Sequence, residues 1–140
     1  MTDKHGLPGD ILNAQACMKQ GFDELDECWN RTESILRATH IYSDVRVDLL
    51  PKVTIYFGKL GSKRMIYVRE TPDDLKSPGM PTPICELAVD KRIAFICAIP
   101  YLYKATLKQA QIDLLRIKDA VNSFNQILDG LETRTTSEMD

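Results

Sequence analysis

Three groups of residues in this chain are of types and at spacings that could do chemistry. The first is basic and aromatic: Lys59, Lys63, Arg64 and Arg69 fall within eleven positions, interleaved with Tyr56 and Tyr67. If Tyr56, Tyr67 and Arg69 share one face of a sheet, the rings can stack on bases while the arginine neutralises phosphate, as single-stranded nucleic acid requires. The plainer reading of the lysines is that basic hairpin tips keep sheet edges soluble. The formal net charge of −2 also gives the molecule no broad attractive field for nucleic acid.

The second group is His40 with Tyr42 and Asp44. A general base needs a nucleophile and a cleft beside it, and no P-loop, G-x-S-x-G, H-E-x-x-H or dinucleotide fingerprint accompanies it. His40 reads more simply as a polar residue at a helix end, and we expect no catalytic residue and no cofactor. The third group is Cys17, Cys28, Cys85 and Cys97. They include no C-x-x-C pair, and His5 and His40 are the two histidines that could complete a site, so no metal is expected. On one helix Cys17 and Cys28 would lie about 16 Å apart, beyond disulfide reach.

These residues must be positioned by elements that the pattern of apolar residues delineates. Pro8 and Asp10 suggest a helix entry, capped by Asp10. Ala14, Met18, Gly21, Leu25, Cys28, Thr32 and Ile35 then recur at steps of four and three, flanked by Ile11, Phe22, Trp29 and Leu36. This predicts one long amphipathic helix ending near His40, with Asp23, Glu24, Asp26, Glu27 and Glu33 on its polar side.

From Val45 the period becomes two, through Val47 and Leu49 and, after Pro51, through Val53, Ile55 and Phe57. A Gly61-Ser62 loop of type II′ would pair Leu60 with Lys63, Phe57 with Ile66, Tyr56 with Tyr67, Ile55 with Val68 and Thr54 with Arg69. Residues 71–83 carry four prolines and are expected as an exposed loop, either binding or connecting. The segment 84–99 reads as a second hairpin around Asp90-Lys91-Arg92, with Cys85 opposite Cys97 on the apolar face and Pro100 ending its last strand.

A second long helix is expected from about Tyr101 to Asp129, capped at Gly130, with 131–140 as a mobile tail. Leu107, Ala110, Leu114, Ile117, Val121, Phe124 and Leu128 form a coiled-coil-type seam along it, with Ile112, Leu115, Ala120 and Ile127 off the seam.

The fold class is therefore α+β: a long N-terminal helix, an antiparallel sheet of two hairpins with about four strands, and a long C-terminal helix, forming one domain over 1–130. At 140 residues the chain can bury its own core. It has no apolar run of membrane-spanning length and no signal peptide, so a cytoplasmic location is expected, with no membrane partner. Helices of about 40–45 Å overhang strands of about 25 Å, and the overhanging apolar turns call for a partner.

The reading is a non-enzymatic protein-interaction module, an inhibitor, adaptor or assembly factor of regulatory kind. It would form a homodimer through Leu107, Leu114, Ile117, Val121, Phe124 and Leu128, and bind a further protein through Lys59, Lys63, Arg64, Leu75 and Met80. Alternatives are a single-stranded nucleic-acid binder and a small enzyme or ligand-binding domain. The order helix, two hairpins, helix also resembles that of α-class prefoldin chaperone subunits. The resemblance implies assembly through the hairpins and client holding by the helix ends.

Overall fold

The computed structural model describes residues 3–50, 52–72 and 79–139, with side chains placed for 8–49, 52–72 and 79–134. The chain is α+β, a long N-terminal helix, a four-stranded antiparallel sheet and a long C-terminal helix. In order these are α1 (Asp3–Arg37), β1 (Val45–Leu50), β2 (Val53–Leu60), β3 (Lys63–Glu70), β4 (Thr82–Pro83), α2 (Val89–Ala94) and α3 (Ile99–Met139). The sheet is a meander, β1-β2-β3-β4.

The β2–β3 register is the expected one at every pair, from Leu60↔Lys63 through Phe57↔Ile66 and Tyr56↔Tyr67 to Thr54↔Arg69. Gly61 has φ +69° and Ser62 does not have a positive φ, the signature of a type II′ turn. Alternation puts Ile55, Phe57, Ile66 and Val68 on one face, each at most 2% exposed. Val45 joins them from β1, which pairs with β2 through Val47↔Ile55 and is bulged at Leu49. Pro51 lies outside the described residues.

Segment 84–99 is not a second hairpin. It forms a 3-10 turn at Ile84–Glu86, then α2, then a 3-10 turn at Phe95–Ala98 that runs directly into α3. The four strands are completed instead by β1 and by the two residues of β4, which pair with Tyr67 and Val68. A short apolar run fits either period, and the next helix decides it. Phe95, Ala98, Leu102 and Thr106 are all buried, at steps of three and four, so they form one helical stripe crossing Pro100. Pro100 sits in the first turn of α3, where a missing N–H costs nothing. As a result Cys85 and Cys97 do not face each other across a ladder, and both are exposed.

Both helix ends also differ from expectation. α1 begins at Asp3, ahead of the Asp10 cap, and carries Pro8 inside it. α3 passes through Gly130 without stopping and remains helical to Met139, so 131–139 continue the helix. At its other end α1 closes with Thr39 and His40, whose amides bond the Leu36 and Arg37 carbonyls. His40 there adopts φ 55°, the left-handed conformation that ends many helices.

α1 and the α2–α3 segment pack on the apolar sheet face around Trp29, Leu36, Ile84, Phe95 and Leu102. Trp29 Nε1 donates to the Arg92 carbonyl at 3.3 Å, and the Arg92 guanidinium pairs with Asp26. Glu33 Oε1 accepts the Ile66 amide at 2.8 Å, and Arg37 Nε donates to the Arg64 carbonyl at 2.9 Å. Asp26 and Glu33, expected on the polar side of α1, thus turn to the body, and α1 covers the β3 edge that β4 is too short to reach.

Candidate functional site

The two long helices run the same way across the sheet. Asp26 and Trp29 of α1 meet Arg92. Further along, Thr32 and Ile35 line a groove with Ile96, Ile99 and Tyr103. Just beyond α1, Tyr42 and Ser43 bond Asp113 of α3. Successive positions along α1 and the turn after it therefore meet successive positions along α2 and α3. With 35 and 41 residues the helices are about 52 and 62 Å long, against about 26 Å for the eight-residue strands. The N-terminal overhang of α1 leaves the body at the end marked by Glu70 and Lys91, and the C-terminal overhang of α3 leaves at the end marked by the β2–β3 turn. Neither overhang can cover the other within one chain.

The α3 overhang carries the more complete apolar face. Residues 114–134 are all exposed. Leu114, Ile117, Val121, Phe124, Leu128 and Leu131, spaced three and four apart, lie on one side at 40–60% exposure, with Ile127 beside them at 63%. These include every expected interface residue except Leu107, which is 61% exposed alongside the body. Leu131, placed in the tail by sequence reasoning, continues the stripe. On α1, Ile11, Leu12, Met18 and Phe22 are also exposed, but Ala14 and Gly21 interrupt their face.

The carboxylate that fixes where the α3 overhang begins is Asp113, which sequence reasoning missed. Its oxygens accept from the Tyr42 amide (2.9 Å), the Ser43 amide (3.2 Å), Ser43 Oγ (2.8 Å) and Gln109 Nε2 (2.9 Å). Burial raises its pKa, but the bonds from Gln109, Ser43 and the two amides outweigh it and lower the group to about 2. The available signal was an acid on the apolar side of a helix, next to Leu114. A carboxyl whose pKa drops on folding contributes stability above its ordinary pKa of 3.8 that is lost as pH falls through its folded value. Asp113→Asn should therefore melt below the wild type at pH 6, and the gap should narrow as both are titrated from pH 4 to pH 2. A gap independent of pH would mean the carboxylate charge contributes nothing to the lock between α3 and the 42–43 turn.

The other expected site residues divide between the two ends of the sheet. Lys59 and Lys63 are exposed at the hairpin tip. Arg64 is engaged, its Nη1 donating to the Ser43 carbonyl at 3.2 Å. Met80 is 85% exposed, but it lies beside Gly79, whose amide bonds the Glu70 carbonyl at the opposite end of β3. The length of the strand, about 23–26 Å, separates Met80 from the lysines. Leu75 falls outside the described residues.

On the outer sheet face Tyr56 and Tyr67 do stack, with centroids 4.9 Å apart and planes 7° apart, and Arg69 lies 5.9 Å over Tyr56. Tyr67 is 5% exposed, and burial, then the nearby Asp44 charge, raises its pKa. Its ring is occupied by Tyr56 and offers no open surface to a base. Asp48 shares the face, its pKa lowered by Thr54 and Arg46.

Among the described residues no cluster of His, Cys, Asp or Glu could hold a metal ion, and no helix is long and apolar enough to cross a membrane. The chain matches no protein-family model, no curated protein and no solved structure. The prefoldin-like layout lacks its second hairpin here.

Proposed function

We propose that this protein is a non-enzymatic interaction module that self-associates through the α3 overhang and presents its other end to a different protein. The observation that carries the proposal is the unbroken apolar stripe from Leu114 to Leu131, exposed along its whole length. A monomer rarely leaves so large a contiguous apolar surface in water. Its spacing is that of a helix-pairing seam, and a second helix of the same kind is the simplest way to cover it.

Pairing through α3 leaves the α1 overhang, with Ile11, Met18 and Phe22, at the far end of the body together with Met80. That end supplies the second surface an adaptor or assembly factor needs. The test is the mass in solution. Light scattering at micromolar concentration should give a multiple of the 15.9 kDa chain. The association should survive raised salt, because apolar contacts are not screened. A mass of one chain would remove the reading.

A further inference from the structure

Resting on self-association through α3, we infer that the partner is a second copy of the same helix in antiparallel orientation, paired about a two-fold axis between Asn122 and Ser123. The exposed stripe has gaps of three, four, three, four and three, so it reads the same in both directions. Folding the stripe onto a reversed copy places Leu114 against Leu131, Ile117 against Leu128 and Val121 against Phe124, each twice. Every layer is apolar, and the small Val121 meets the large Phe124.

Shifting the reversed copy by one heptad toward the body sets Lys118 against Lys118. Shifting it the other way leaves Leu114 and Ile117 facing residues beyond the apolar stripe. One antiparallel register therefore both buries the whole stripe and brings no like charges together.

The flanking positions distinguish antiparallel from parallel. In a parallel pair Ile127, the most exposed of these side chains at 63%, would lie beside Glu132 of the other helix. Lys118 would lie beside Asp113, whose oxygens already accept four hydrogen bonds within the chain. In the antiparallel pair Ile127 meets Ala120, which extends the apolar seam on both sides of the axis, and Lys118 meets Asn125. The two bodies then sit at opposite ends of the paired segment, clear of each other. The stripe with Ile127 exposes on the order of 700 Å² per copy, close to the roughly 800 Å² that each partner contributes to a standard stable interface.

Cysteine pairing tests the orientation. With Cys17, Cys28, Cys85 and Cys97 replaced by serine, which their exposure permits, Leu114→Cys and Leu131→Cys are made singly and treated with a mild oxidant. Neither variant alone should cross-link, because each cysteine would face a leucine. An equal mixture should cross-link about half of its dimers, the share in which residue 114 of one copy meets residue 131 of the other. Cross-linking of either variant with itself would overturn the antiparallel arrangement while leaving self-association intact. A dimer that cross-links in none of the three samples would overturn pairing through α3 itself. A monomeric mass for the serine background would instead remove the reading on which the inference rests.

Discussion

Val121→Glu combined with Phe124→Glu is expected to turn the protein into a monomer while leaving its fold intact. The two residues form the two central layers of the paired stripe, so the change would bring four carboxylates together in a seam that excludes water. A charge left unpaired in such a contact costs several kcal/mol, and each 1.4 kcal/mol is tenfold in affinity, so association should weaken by at least about 100-fold. The body should not register the change, since both side chains are at least half exposed and contact none of the core around Trp29 and Phe57. Light scattering across a concentration series reads the first effect, and circular dichroism with thermal melting reads the second. A double variant that keeps the wild-type mass would place the interface elsewhere, with the α1 overhang as the remaining apolar face.

Trp29→Ala should have the largest effect on stability. Trp29 is 1% exposed, the largest fully buried side chain, and the point where α1 is anchored to the α2 segment. Replacing a buried aromatic with alanine costs about 3–5 kcal/mol, a large share of the roughly 5–15 kcal/mol that holds a typical domain. A fall in Tm on the order of 10–20 °C follows. Trp29→Phe separates the ring from the hydrogen bond: it retains most of the burial and leaves the Arg92 carbonyl without the indole donor, so its fall should be the smaller one. A Tm within about 3 °C of the wild type for Trp29→Ala would show that α1 does not melt with the sheet as one cooperative unit.

What was legible in the sequence was whatever a short stretch specifies by itself. The β2–β3 register could be read to the residue because Gly61 dictates the turn, and a slip of one position would carry Ile55, Phe57, Ile66 and Val68 to the wrong face. The two long helices and the Leu114–Leu128 stripe were legible for the same reason, since a period repeated over many turns has one interpretation. Segment 84–99 was not, because sixteen mainly apolar residues satisfy a two-residue and a helical period alike. The choice came from continuity with Leu102 and Thr106 beyond Pro100.

The tertiary structure alone decided the rest. Each apolar stripe is a local property, but whether two stripes face each other depends on the path of the chain between them. That path lays α1 and α3 in the same direction, so their overhangs leave from opposite ends. It also draws Asp113 under the 42–43 turn, where four donors converge on a carboxylate that the sequence shows only as one acid beside a leucine. The same path places the hairpin lysines and Met80 a full strand apart. Sequence determined which faces are apolar, and the direction in which the chain crosses the sheet determined which of them remain uncovered.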